Sequence, residues 1–460
     1  MSFFDTESEN YRQAMMAEGS TLCSYLVALA AVQRGLNVEF ISQVHRHKLF
    51  RGTPPSFIPA YFRLSDSKGR EVYFDRSRGE KSLVAASINS SNKFISKEIF
   101  QRAGVSVADG IQCNKDNVDE EVKKLRNKDA VFIAKPVKGS LGAGVVLGLT
   151  LKDAVEHVKS QKKDFIIEQM ISGPEFRVAV VDGRAVSSFE RLSPSVVGDG
   201  RKTIRALVEE LNARLRVNPH SRTSLINLDK LLLCPALTGK TMDFVPKFLE
   251  KIVLSEKNFD TGREIKHATD YVPAAVTEEA VKAANIIGLP NCGIDVLYDP
   301  EISKAYVLEA NPRHHLGGHT FPTIGRGDGL AVPSAIIDFY FPQTKMVRPD
   351  PEFGLDFSAV NEAMNTMNFD SVRPVSRQLD WVKRIVKIAP SRENSDKIKK
   401  FLRLMCMYVA VVREGSDECV LAAYFDKDAY AKILKRKKKT KEVLATPEID
   451  RQIFGINRQK

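Results

Sequence analysis

The sequence predicts a protein of mixed α/β and α+β class with several domains, on three observations. Residues 12–41 give a helical pattern, a glycine and a short apolar strand, the rhythm of an α/β unit. Residues 165–191 give two apolar strands joined through Gly173-Pro174, and then a third that returns through the hairpin signal Asp182-Gly183. The chain has 460 residues, too many for one ordinary core, so two to four domains are expected.

Each element follows from spacing. Ala14, Met15, Leu22, Tyr25, Leu26, Leu29 and Val32 recur at helical intervals, which predicts one helix over 12–35 with Gly35 as its C-cap. Val38–Ile41 reads as a strand, and Tyr61–Leu64 with Val72–Phe74 as a hairpin around Ser67-Lys68-Gly69. Asn92–Val107 reads as an amphipathic helix ending at Gly104. Strands are expected at Ala130–Lys135, Gly144–Leu149, Phe165–Gln169, Glu175–Val181 and Ala185–Arg191, with a helix at Leu151–Ser160. Further on come a helix at Thr203–Leu215, an irregular stretch over Asn218–Leu254, and a helix at Val276–Ile287. Strands follow at Ile294–Leu297 and Ala305–Leu308, then a helix within Gly325–Phe339. Proline and charge at Gln343–Pro351 suggest a boundary. Beyond it, Val409–Val412 and Val420–Tyr424 flank a polar turn, with a helix from Lys427.

With 43% hydrophobic and 27% charged residues the composition is that of a soluble globular protein. The apolar run Thr21–Ala31 follows Asp5, Glu7, Glu9 and Glu18 rather than a basic stretch, so no secretory signal is read, and no run reaches membrane-span length. Six cysteines stand apart without a CxxC pair, which points to reduced, buried thiols and a cytoplasmic setting. The net charge of +12 is uneven: residues 345–460 hold 24 Lys and Arg against 16 Asp and Glu. The strongest run, Lys432–Lys441, could contact an acidic protein, a nucleic acid or an anionic substrate; the plain alternative is a solvated helix end, since no aromatic residue is interleaved within it.

Two segments carry the chemistry. In Phe132–Gly148, Lys135 closes an apolar strand and precedes Gly139, Ser140, Gly142 and Gly144. Glycines let successive backbone N–H groups point at one anion, and the lysine adds a point charge. The plain alternative is a glycine-rich hairpin. In Cys292–Arg313, Asp295 lies on one strand and Glu309 and Asn311 lie two apart on the next, hence on one face. Their oxygens suit magnesium, which keeps waters and shares substrate phosphates. Between these segments, Glu168-Gln169-Met170-Ile171 can offer backbone groups to an adenine edge. Glu175 can accept from ribose hydroxyls, and Arg177 shares its strand face; the plain alternative there is a surface salt bridge between Glu175 and Arg177. Arg313–Thr320 holds three of the eight histidines, but no cysteine sits nearby to favour zinc, and a flexible substrate loop is the expectation.

The order of these pieces resembles the ATP-grasp superfamily over about residues 85–342. A lysine-bearing helix is followed by Lys-Pro-x-x-Gly-Ser-x-Gly-x-Gly-Val, Glu-x-x-x-x-Gly-x-Glu-x-Arg, Gly-Ile-Asp-Val and Glu-x-Asn. The resemblance implies two α+β subdomains clasping ATP, and an ADP-forming reaction that turns a carboxylate into an acyl phosphate for attack by an amine. It implies Lys93 and Lys135 on the ATP phosphates, with Lys97 in place of Lys93 if the register shifts. Gly139–Gly144 would form the phosphate lid, and Glu168, Gln169, Ile171 and Glu175 would hold adenosine. Asp295, Glu309 and Asn311 would hold Mg2+, with Mn2+ as a substitute. Arg191 would steady the acyl phosphate and Arg313 the acceptor carboxylate. A narrower likeness, in Phe189–Asn212 and Leu254–Thr269, is to cyanophycin synthetases and the ATP-grasp part of bifunctional glutathione synthetases. Two positions depart from it, Arg263 for a glycine and His267 for an aspartate.

The domain expectation is therefore an α/β pre-ATP-grasp domain at 1–90, an ATP-grasp domain at 91–344 divided near 172, and a basic α+β appendage at 345–460. Nothing resembles a Mur-ligase-like or glutamate–cysteine-ligase-like partner domain. An amino acid or short peptide is the expected substrate, and dimers are common in the likeness. The alternatives are a ligase that modifies a protein or ribosomal peptide recruited by the basic tail, and a sensor that binds ATP without turnover.

Overall fold

A computed structural model describes residues 6, 8–17, 19, 21–42, 61–137, 144–231, 239–254, 262, 264–345, 347–348, 354–366, 376–378, 381–388, 408–414, 419–426, 430–431, 434–435 and 452. The expectations for Gly139, Ser140, Gly142 and Arg263, and for most of the basic run 432–441, lie outside the described residues. The chain forms two units, residues 1–40 with 45–376 and residues 41–44 with 377–460.

In the first unit the expected single helix over 12–35 is two, Glu9–Met16 and Thr21–Val32. Gly19 takes φ +53° between them, a conformation that a continuing helix cannot contain. The second helix is buried from Thr21 to Ala31, and its composition, apolar all round, fits that position. It packs against the helix Ala331–Tyr340. The hairpin Tyr61–Ser65/Glu71–Asp75 adds Phe62 and Phe74 to the same core, where they stack at 5.2 Å, and Tyr340 meets Phe74 edge-on at 5.0 Å.

The helix Phe357–Thr366 lies past the boundary expected at 345, yet Phe357, Val360 and Ala363 are buried in this core. Phe357 meets Tyr25 and Phe40 at 5.5 and 5.6 Å. The proline and charge signal at 343–351 therefore does not end the first unit, and the helix that follows it still belongs there.

A four-stranded antiparallel sheet runs in the order Gly110–Cys113, Phe165–Gln169, Phe132–Pro136, Val146–Leu149. The helix Leu151–Lys159, capped by the Thr150 hydroxyl, buries Ala154 and Val158 against it. The helices Val84–Ser91 and Lys93–Arg102 precede it; sequence spacing found only the second, whose N-cap is the Asn92 side chain.

The largest sheet has five antiparallel strands in the order Glu264–His267, Arg184–Leu192, Glu175–Val181, Asn291–Asp299, Lys304–Asn311. Its chain reversal at Asp182-Gly183 has φ of +51° and +70°, as a two-residue hairpin turn requires. Val178, Val180, Cys292, Ile294 and Val296 pack on the helix Ala274–Ile287, while Ala179 and Val181 face the N-terminal core. Glu175 and Arg177 share the face of Ala179 and Val181, so one end of that face is polar.

The second unit contains an antiparallel sheet in the order Trp381–Ile388, Cys419–Asp426, Tyr408–Glu414. The latter two contain the strands read from the sequence. Val386 is buried, and the Arg384 guanidinium lies 4.9 Å over the Tyr430 ring.

Candidate functional site

Two clusters gather the residues singled out by sequence. In the small sheet, Ala134 pairs with Ile167 and Ile133 with Glu168, which brings Lys135 beside Glu168. The Lys135 ammonium bonds Glu168 Oε1, and Lys97 Nζ donates to Oε2 at 2.6 Å. Lys97 comes from the helix Lys93–Arg102, one turn after Lys93. Thus Lys97 is the helix lysine brought to Lys135, and Lys93 is not found on Glu168. Glu168 is 5% exposed. Burial pushes its carboxyl up, but Lys135 and Lys97 outweigh that and hold it at about 2. Burial pushes the Lys97 ammonium down, against the pull of Glu168.

Glu168 therefore serves the lysines and not, in this conformation, an adenosine. The backbone N–H groups of Gln169 and Met170 are likewise taken, by the carbonyls of Asp109 and Val131 at 2.8 and 2.7 Å. Ile171 is buried. Gly110 lies opposite Glu168, and a Cβ there would come within 2.6 Å of the Glu168 Cβ and 2.8 Å of the Ile167 carbonyl oxygen. Gly144 turns at φ +75° against Pro136, just beyond Lys135.

In the large sheet, Asp295 stands opposite Glu309 on one side and Arg177 on the other. Arg177 grips the aspartate with both arms, Nε to Oδ1 at 2.5 Å and Nη2 to Oδ2 at 2.6 Å. Arg191 Nη1 reaches Glu175 Oε1 at 2.5 Å and Asp295 Oδ2 at 3.3 Å. Asn311 Nδ2 also reaches Asp295 Oδ2 at 3.3 Å. Glu175, Arg177 and Asp295 are all buried, so the surface Glu175–Arg177 pair weighed from sequence does not form. Glu309 is half-buried and has no ion-pair partner among the described residues.

The trio fits a hard cation in donor type, with two carboxylates and an amide on one face. Among the described residues no group of three His, Cys, Asp or Glu side chains converges as a metal site.

Arg313 is exposed and donates to Asp75 Oδ2 at 3.3 Å, so it is held on the N-terminal hairpin. The stretch after it is not a flexible loop: His314 is fully buried and His319 nearly so, and residues 317–320 form a buried helical turn. His314 Nε2 pairs with Asn291 Oδ1 at 2.9 Å, and its Cβ packs on Gly293, where a side chain would collide at 2.6 Å. Burial, with Arg177 nearby, drives His314 down to about 3; burial drives His220 to about 3 and His319 well below its ordinary value.

A further polar network was not legible in the sequence. Asp328 accepts from Ser187 Oγ at 2.5 Å and Thr269 Oγ1 at 2.6 Å, and meets His267 Nε2 at 2.9 Å. Ser187 Oγ also meets His319 Nδ1 at 2.8 Å. This is no serine relay, because the Asp328 carboxylate binds Ser187 itself and His267, and not His319, the imidazole on that serine. His267 had drawn notice only as a departure from a motif. Its link to Asp328, 61 residues away, has no sequence signal.

No family model matches the chain. The glutathione biosynthesis bifunctional protein GshAB of Clostridium perfringens is 25% identical over 344 residues, 70% of this chain and 41% of that protein. The GshAB of Enterococcus faecalis is 25% identical over 330 residues, 68% of this chain and 41% of the relative. The crystal structure of a bifunctional glutathione synthetase from Pasteurella multocida superposes with a TM-score of 0.52 at 20% identity, covering 70% of this chain and 43% of that one. The chain thus spans about two fifths of the length of the curated relatives it matches. Over the superposed span the fold is the one seen in the Pasteurella multocida bifunctional glutathione synthetase. No helix among the described residues is long and apolar enough to cross a membrane.

Proposed function

We propose that the chain is an ADP-forming, ATP-dependent ligase that joins a carboxylate to an amine, with an amino acid or a short peptide as substrate. The observation that carries this is the placement of two lysines on one buried glutamate, and of Asp295, Glu309 and Asn311 along one face of the neighbouring sheet. The likeness to glutathione-forming proteins supports the substrate class.

In this reading Lys97 and Lys135 receive the phosphates of ATP, and Glu168 holds both ammonium groups in place until they do. An oxygen of the carboxylate to be activated attacks the terminal phosphorus, the bond to ADP breaks, and an acyl phosphate forms. The amine then attacks the acyl carbon, loses a proton, and inorganic phosphate leaves. Arg191 would steady the anionic acyl group once it is released from Glu175. Arg313, exposed beside Asp75, would hold the substrate's free carboxylate. Glu309, Asn311 and Asp295 would hold magnesium, which supplies neutralising charge for phosphoryl transfer.

The test is ADP release by purified protein with Mg-ATP and pooled amino acids and dipeptides, beside Glu309→Ala. ADP that depends on particular additions and disappears in Glu309→Ala supports the ligase. ADP release that no addition changes, or that survives Glu309→Ala, refutes it.

A further inference from the structure

The grip of Arg177 on Asp295 sets a problem for metal binding. Asp295 is 3% exposed and Arg177 is 7% exposed. A buried carboxylate left without a partner costs several kcal/mol, so its charge must be answered at all times. A carboxylate has about four lone-pair directions. Here Arg177 takes one on each oxygen, and Arg191 and Asn311 both lean on Oδ2. On Oδ2 a divalent cation would have to displace one of these donors, and on either oxygen it would stand against the Arg177 charge. Glu309 faces Asp295 directly across the strand pair and carries no such clamp among the described residues.

We propose that Arg177 is the resident counter-ion of Asp295, that a divalent cation enters this face through Glu309, and that Asp295 joins only when Arg177 gives it up. The inference rests on the metal role given to these residues above. It makes Arg177 a positioning residue, which keeps Asp295 ionised and aimed before metal arrives and sets metal affinity by competition. A purely structural arginine would behave differently, since its loss would loosen the site and weaken metal binding.

The test is Mn2+ titration of the nucleotide-free protein, followed by the electron paramagnetic resonance of the free ion. Arg177→Met should bind Mn2+ more tightly than wild type, by about fivefold or more, because a competing positive charge is gone. Its melting temperature, lowered without metal, should recover with Mn2+ by a larger margin than wild type gains. Unchanged or weaker binding overturns the proposal. Should Arg177→Met fail to fold, Asp295→Asn and Glu309→Gln decide the matter. Asp295→Asn should change Mn2+ affinity less than about twofold, while Glu309→Gln should lose about tenfold or more. Equal losses in the two would show that Asp295 is already available as a ligand, and would overturn the clamp alone. Mn2+ binding untouched by Glu309→Gln would remove the metal face itself, and with it the functional reading.

Discussion

The small sheet and the large sheet solve opposite electrostatic problems. At the small sheet two ammonium groups share one carboxylate, so the cluster has positive charge to spare. At the large sheet two guanidiniums face Glu175, Asp295 and Glu309, so negative charge is left over at Glu309. The first balance suits a phosphate and the second a metal ion. The residue types follow the same division. Lysine, a mobile point charge, can leave Glu168 for a ligand, whereas arginine's planar fork fixes Asp295 in one orientation.

The comparison breaks most severely at Glu309. Glu309→Ala should remove the surplus negative charge and cut ADP formation by about a thousandfold, some 4 kcal/mol of activation free energy. The fold should survive, because Glu309 has no ion pair among the described residues to lose. A steady-state assay beside a melting curve separates the two effects. Near-normal turnover with normal melting would show that the large sheet does not serve a metal.

At the small sheet the largest effect should be on stability. Glu168→Gln leaves two part-buried ammonium groups facing each other without their carboxylate. A loss of about 3 kcal/mol in chemical denaturation is expected. Added ATP should restore part of it, since its phosphates replace the missing charge. A loss within about 0.5 kcal/mol would mean that the lysines find water instead, and that Glu168 is no structural counter-ion.

Acid should reach the two sheets at different pH. His314 and His220 ordinarily titrate near 6.5 but are held to about 3 when folded. The unfolded chain therefore binds more protons at these sites below pH 6.5, and stability falls as pH falls from 6.5 toward 3. At pH 5 the loss is on the order of 2 kcal/mol for each buried imidazole. Glu168 goes from its ordinary 4.5 to about 2, so its contribution is complete above 4.5 and fades only below. Melting temperatures from about pH 8 to about pH 4 should therefore drop first through the histidines. His314→Asn should flatten the slope between about pH 6.5 and 5 relative to wild type. An unchanged slope would mean that the imidazole is protonated in the fold.

Much of this contrast could be read from local spacing. The strand closed by Lys135, the turn at Gly144, and the Asp295 and Glu309/Asn311 strands all declare themselves within a few residues. The five-stranded sheet could not be so read, because its order depends on pairings more than 70 residues apart, such as Leu192 with Glu264 and Arg177 with Asp295. For the same reason Glu175 and Arg177, neighbours on one strand, find different partners. The buried state of His314 and His319 was also hidden. Their segment is polar and glycine-rich, as a loop would be, and only the close approach to Gly293 and the bond to Asn291 explain its burial.

The smallest effect gives the sharpest reading of the small sheet. Lys93 and Lys97 lie four apart on one helix, so sequence could not choose between them. The structure brings Lys97 to Glu168 at 2.6 Å, beside Lys135. If phosphate replaces Glu168 as the partner of both ammonium groups, Lys97→Met should raise the KM for ATP about tenfold, or 1.4 kcal/mol. Lys93→Met should change it less than about twofold. Lys97→Arg should rescue poorly, because a guanidinium is too broad for a place where two ammonium groups meet one carboxylate. Should Lys93→Met prove the more damaging change, the helix must turn when ATP binds, and the pairing with Glu168 would then mark a resting state of the lysines.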